Sequence, residues 1–182
     1  MDVSTKEAPD VSFIVCHHTG RLIERCLDSV LQSASVSYEV LVITSDPTYS
    51  TLRAEVYFLE DGPAAKRNLG VTYAKGTYLV FLDDDVEISP YCAYEFVQWM
   101  EDHPTCGMAF AKIYKMEEGR RDEFDAVRSW LTWTGFLYDR AGNGQRDRGQ
   151  YEATERILSA KSATCMVRRT SFLQCGGFDA YY

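Results

Sequence analysis

Three consecutive aspartates, Asp83-Asp84-Asp85, close the apolar run Thr77-Tyr78-Leu79-Val80-Phe81-Leu82. Carboxylates side by side repel one another, and burying them unpaired is expensive. A strand that delivers such a cluster at its carboxyl end therefore points to a positive partner. Hard divalent cations prefer oxygen ligands, and Mg²⁺ or Mn²⁺ held by one or two carboxylates commonly also coordinates a substrate's phosphates. A solvated acidic turn is the competing reading. If the extended geometry persists through the triplet, Asp83 and Asp85 share a face and Asp84 points elsewhere. Two further strand tips carry polar groups, Cys16-His17-His18-Thr19 and Thr44-Ser45-Asp46. His17 and His18 are adjacent at a strand end, where neighbouring side chains diverge, so loop positions beside a ligand suit them better than joint chelation.

The elements that must position these groups follow from periodicity. Residues 11–16 and 39–43 read as buried strands, and residues 54–59 as a short third one. Apolar positions at helical spacing predict a helix over 21–33, with Thr19 as its N-cap. Gly62-Pro63 opens a second helix through Tyr73, and Ser89-Pro90 a third that runs to about His103. Residues 106–114 read as a further strand. The stretch 115–155 holds Trp130 and Trp133 and shows no clear period, and residues 141–149 read as a mobile loop. Residues 157–167 resume an extended pattern, and a short helix over 170–174 stops at Gly176-Gly177. Strands alternating with helices imply right-handed βαβ units, a mostly parallel sheet and a ligand outside the carboxyl ends of its strands.

The chain has 182 residues, 46% of them hydrophobic and 25% charged, enough for one domain with a core of useful size. Residues 1–10 form a polar leader without the basic region and apolar core of a secretion signal, leaving 11–182 as the domain. No apolar run approaches the ~20 residues that span a bilayer, so no transmembrane segment is expected. The six cysteines include no Cys-x-x-Cys pair and mostly sit in apolar segments, the usage of reduced core thiols in a cytoplasmic protein. A net charge of −8 argues against nucleic acid as a general partner, but not against a phosphate ligand carried by a metal.

Four stretches belong together: Val11–Val15 followed by Leu22–Val30, Gly62-Pro63-Ala64-Ala65-Lys66-Arg67-Asn68-Leu69-Gly70, Gly76–Asp85, and Cys165–Arg169 through Gly176-Gly177-Phe178-Asp179. Taken together they resemble the family 2 glycosyltransferases of the GT-A fold. The helix signature joined to the aspartate strand is the specific part. The resemblance implies a Rossmann-like α/β fold and an inverting, hexosyltransferase-type enzyme of polysaccharide biosynthesis. Its donor would be a nucleotide-diphosphate sugar, UDP-sugar favoured, and its acceptor a saccharide or lipid-linked hydroxyl. Carried onto this sequence, Cys16, His17, His18, Asp46, Arg67, Asp83 and Asp84 would bind the donor, with Asp46 facing the base. Asp85, with Asp83, would coordinate Mn²⁺ or Mg²⁺ in an Asp-x-Asp motif.

The sequence departs from the family pattern at Cys16-His17-His18-Thr19 and at Thr44-Ser45-Asp46-Pro47. The acidic pair that follows Gly-Gly-Phe-Asp in the family and supplies the base is expected beyond Tyr182, which implies a C-terminally incomplete and inactive domain. Asp179 belongs to the structural turn in this resemblance. Trp130 and Trp133 fall where the family's acceptor region begins, as a sugar-stacking platform or as core. Two other readings stand beside the enzyme: a non-catalytic nucleotide-sugar binding module, and an aspartyl-nucleophile phosphotransferase. The latter lacks the Ser or Thr expected two residues beyond the second acid, because Val86 and Glu87 follow the triplet.

Overall fold

The computed structural model describes residues 8–127, 129–139, 141 and 144–181. Residues 1–7 of the polar leader, and Gly142 and Asn143 of the expected loop, lie outside the described residues. The chain divides into two compact units, one of Met1–Ala109 with Cys165–Tyr182 and one of Phe110–Thr164.

The first unit is built on β1 (Val11–His17), α1 (Leu22–Leu31), β2 (Tyr38–Thr44), β3 (Glu55–Phe58), α2 (Pro63–Tyr73), β4 (Tyr78–Asp83) and α3 (Cys92–Asp102). Its strands enter a six-stranded sheet of order β3-β2-β1-β4-β10-β5, where β5 is Met108–Phe110 and β10 is Thr164–Arg168. The pairs β1–β2, β1–β4 and β2–β3 are parallel. The continuous apolar runs of β1, β2 and β4 are those of strands covered on both faces, and Phe13, Ile14, Leu41, Leu79, Phe81 and Leu82 are fully buried. β1 lies between β2 and β4, so the strand order reverses there, and a crevice forms at the carboxyl ends of β1 and β4.

α2 packs on β1 and β2, and glycine permits the close approach. A Cβ on Gly70 would meet Ile14 Cγ2 at 2.4 Å, and one on Gly76 would meet the Ser12 backbone nitrogen at 2.6 Å. Beside Gly76, Glu39 accepts from the Ser12 hydroxyl (2.6 Å) and the Lys75 backbone N–H (2.5 Å), which fixes the entry to β4. α4 (Arg169–Gln174) follows β10. Arg168, at the end of β10, donates to Met100 O in the last turn of α3 and to the Tyr78 hydroxyl, both at 2.9 Å.

The second unit contains two antiparallel pairs, β6 (Ile113–Tyr114) with β7 (Phe124–Ala126) and β8 (Ser129–Leu131) with β9 (Leu137–Asp139). Its small core is Phe124, Val127 and Ala141, with Tyr151 packed against it.

Four sequence expectations are corrected. The N-cap of α1 is Arg21, without a side-chain cap bond, because Gly20 takes φ 131° and ends the loop one residue before the helix cap. The single strand over 106–114 breaks into β5 and β6. Lys112 lies at the break, held by Asp147 (3.2 Å) and Glu152 (2.6 Å). Of residues 157–167, strand structure begins only at Thr164. Within the stretch read as having no period, β7, β8 and β9 are present, and three-residue strands are too short to show one.

Candidate functional site

At the carboxyl ends of β1 and β4, Cys16 pairs with Asp83 in register, and His17 pairs with Thr44 of β2. The N-terminus of α2 faces the same crevice, and its cap residue Gly62 has no side chain to occupy the first-turn N–H groups. These elements enclose a cleft of about 410 Å³ lined by Cys16, His18, Asp61, Gly62 and Pro63, by Lys66 and Arg67, and by Asp83, Asp84 and Asp85. Seven of the sequence-derived positions are thereby placed: five line the cleft with Asp85, His17 lies buried behind it, and Asp46 sits away from its lining.

The electrostatics centre on α2. Its inward face buries Lys66 and Arg67, which are 4% and 6% exposed. Arg67 Nη2 donates to Asp83 Oδ1 at 2.6 Å, and its guanidinium lies 5.6 Å from the Phe178 ring centroid. The buried Arg67 Nε has no protein partner. Burial pushes the Asp83 carboxyl above its ordinary range, and the Arg67 charge opposes that rise. Lys66 Nζ donates to His17 O at 2.8 Å, which uses one of its three donors. Burial lowers the Lys66 ammonium below its ordinary range. The Cys16 thiol, 3.9 Å from Pro63 O, is raised by burial to about 11, so it is a neutral wall of the cleft at neutral pH.

The aspartate triplet does not continue as a strand. β4 ends at Asp83, and Val86 N–H donates back to Asp83 O at 3.2 Å, closing a turn. Asp84 therefore does not point away from its neighbours, contrary to the alternation expected for an extended triplet, and all three side chains line the cleft. Asp84 Oδ2 accepts the His18 backbone N–H at 3.2 Å and lies 3.9 Å from His17 Nε2. His17 is fully buried, with Nδ1 at 2.9 Å from Thr44 Oγ1 and Nε2 without a hydrogen bond. Asp46 forms a local turn: its Oδ1 accepts the Thr48 backbone N–H (2.8 Å) and hydroxyl (2.6 Å), which hold its carboxyl below the ordinary range.

Asp85 is exposed and makes no hydrogen bond or ion pair among the described residues. No cluster of three or more His, Cys, Asp or Glu able to hold a metal alone is present among them. That donor set fits a hard cation that takes one or two carboxylates and completes its shell with phosphate oxygens and water. It does not fit an all-protein metal cage.

Two side chains of the site were missed from the sequence. Lys66 was passed over because lysine is seldom buried, although its place three residues after Pro63 puts it on the face that Arg67 shares. Asn68 clamps the Gly-Gly-Phe-Asp segment, donating from Nδ2 to Phe178 O (2.8 Å) and accepting Phe178 N–H at Oδ1 (2.9 Å). Within that segment Asp179 Oδ1 accepts Tyr181 N–H at 3.0 Å, an intra-turn bond.

Comparison with known proteins gives the same fold. A mannosyltransferase from Pyrobaculum calidifontis, PcManGT in complex with GDP-Man and Mn2+, superposes with a TM-score of 0.61 at 17% identity, over 96% of this chain and 49% of that one. Staphylococcus aureus TarS 1-349 in complex with UDP-GlcNAc superposes with a TM-score of 0.60 at 19% identity, over 92% and 48%. An uncharacterized protein of Mycobacterium tuberculosis is 28% identical over 91% of this chain and 55% of its own length. An uncharacterized glycosyltransferase of Haemophilus influenzae is 27% identical over 84% and 50%. The chain thus spans about half the length of the curated relatives it matches. The family profile for glycosyl transferase family 2 matches residues 12–175, and the chain belongs to that family.

Proposed function

We propose that the cleft binds the nucleotide-diphosphate moiety of a sugar donor and that the protein transfers the sugar, with inversion and with a divalent cation, to an acceptor hydroxyl. The observation that carries this reading is the pairing of two buried cations, Lys66 and Arg67, with three carboxylates around one cleft at the sheet's switch point. A diphosphate is the ligand that calls for both signs. Its oxygens take ammonium, guanidinium and helix N-terminal N–H groups directly, and Asp85 takes a cation that accompanies them.

In this mechanism Asp85, with Asp83, holds Mn²⁺ or Mg²⁺, which when bound supplies Lewis-acid stabilisation of the departing diphosphate. Lys66 has two donors left after its bond to His17 O, and it presents them, with the first-turn N–H groups of α2, where negative charge grows on the leaving group. Arg67 fixes Asp83 in place through its 2.6 Å bond and keeps the carboxylate oriented toward the cleft. Cys16 and His18 shape the wall. The acceptor's proton is assigned to none of the residues described above: Asp83 is committed to Arg67, Asp84 to His18 N–H and Asp179 to Tyr181 N–H. That base, a UDP-type donor, a saccharide or lipid-linked acceptor and a cytoplasmic site of action complete the reading.

The PcManGT and TarS complexes support it by analogy, since each was captured with a nucleotide sugar in the shared fold. Calorimetric titration with UDP-, GDP- and dTDP-sugars, with and without Mn²⁺, tests it. Saturable binding of at least one donor that tightens with Mn²⁺ is expected. Indifference to all of them at millimolar concentration overturns it.

A further inference from the structure

In the second unit, the β8–β9 hairpin exposes an unusual density of large apolar side chains. Leu131, Trp133, Phe136, Leu137 and Tyr138 are 50%, 98%, 74%, 53% and 50% exposed. From Ser129 to Tyr138 the sequence carries no charged residue. The reading of Trp133 as core is therefore excluded. We propose that this hairpin docks the protein onto a phospholipid surface by inserting its tip into the interfacial zone of the bilayer.

The shape of the apolar surface favours lipid as the occupant. The register pairs Trp130 with Tyr138 and Leu131 with Leu137, and successive residues of a strand point to opposite faces. Apolar groups thus clothe both faces of the hairpin, and Trp133 and Phe136 cover its end. A flat partner surface covers one face and leaves the other in water, whereas an acyl and headgroup phase surrounds a protrusion.

Several polar atoms of the tip are satisfied from within. Thr132 N–H donates to Phe136 O at 2.8 Å, and Gly135 N–H donates to Thr132 O at 3.0 Å. Phe136 N–H donates to Thr132 Oγ1 at 2.9 Å, and the Thr132 and Thr134 hydroxyls pair at 2.9 Å. These internal bonds lower the cost of taking the tip out of water, and the interfacial zone leaves the remaining polar groups within reach of headgroups and water.

In sequence Arg128 and Arg140 immediately flank the Ser129–Asp139 segment, whose own charge is that of Asp139 alone. Tryptophan and tyrosine with flanking arginine is the composition that settles at the headgroup level, where rings bury and guanidinium meets lipid phosphate. No helix among the described residues is long and apolar enough to cross a membrane, so the contact is a surface one. The inference is independent of the donor cleft.

The test is sedimentation of the chain with vesicles of phosphatidylcholine, alone and with added phosphatidylglycerol, alongside tryptophan emission with brominated lipids as quenchers. The chain is expected to partition onto both vesicles, more strongly with phosphatidylglycerol, with blue-shifted and quenched emission. A Trp133→Ser, Phe136→Ser double variant should lower the partition coefficient about tenfold or more, since two aromatic side chains lose their burial. Arg128→Gln with Arg140→Gln should remove the preference for phosphatidylglycerol and leave the rest. Far-UV circular dichroism of each variant should match the parent. Failure of the parent chain to bind either vesicle overturns the proposal, as does undiminished binding by the double variant. A parent that ignores vesicles and forms dimers by light scattering, lost in the double variant, assigns the hairpin to a second copy instead.

Discussion

Asn68 and Phe178 lie 110 residues apart, and the side-chain amide of one reads the backbone of the other like a strand partner, giving and accepting one hydrogen bond each. The clamp seats the Phe178 ring against Phe81 and Phe172, with centroids 5.2 Å apart in both cases. Arg67 lies beneath the same ring. The helix that supplies the cleft's cations is thereby tied to the far end of the described chain.

Replacing Asn68 with Leu removes both bonds and strands the Phe178 N–H and C=O in a partly buried position. A loss of roughly 1–3 kcal/mol is expected in urea unfolding, the cost of unsatisfied backbone groups. A change under about 0.5 kcal/mol would show that water replaces the amide without penalty.

Phe81 is fully buried at the centre of the aromatic cluster. Phe81→Ala is expected to cost roughly 3–5 kcal/mol, which a domain of about 5–15 kcal/mol total stability feels severely. Denaturant titration of parent and variant gives the difference directly, and a cost near 1 kcal/mol would contradict the packing described.

Within the triplet, Asp85→Ala is expected to remove the Mn²⁺ dependence of nucleotide-sugar binding. Asp84→Ala should weaken binding less, because an Asp84 oxygen already holds the His18 N–H. Calorimetry of the two variants with and without Mn²⁺ decides, and equal losses would give Asp84 a direct part in holding the cation.

Burial raises four thiols, Cys16 and Cys92 to about 11 and Cys26 and Cys165 to about 12. Unfolded thiols ionise from about pH 9, before the folded ones, so the unfolded state then binds fewer protons and stability falls as pH rises. The contribution is fully present below pH 9 and is lost between about pH 9 and 12. The expected result is a unfolding midpoint that declines across that window and flattens when the four are replaced by Ala or Ser and re-referenced to each variant's own midpoint at pH 7. At pH 8 the native protein should present the exposed Cys175 to a thiol reagent first, and all six after denaturation.

Much of the first unit was legible from the sequence because its information is local. Short, β-branched- and aromatic-rich runs such as Val11–Cys16 and Leu79–Leu82 read as strands covered on both faces, and Pro63 suits the first position of a helix. Alternation of strand and helix then forces the parallel sheet, which brings Cys16, His18, Arg67 and the aspartates to one edge. The second unit was opaque for the converse reason. Its strands are two or three residues long, and pairing across the chain, not periodicity, makes them strands.

The sequence by itself determined the α/β class, the family, the strand tips that form the cleft and the helix that carries Arg67. Tertiary structure alone decided that Lys66 is buried with its ammonium on His17 O, that Asn68 grips Phe178, that Asp84 turns into the cleft and that Trp133 stands in solvent. The physical reason is the same in each case. A residue's type and spacing fix the backbone it prefers, whereas its charge state, its partner and its exposure depend on what distant chain arrives beside it.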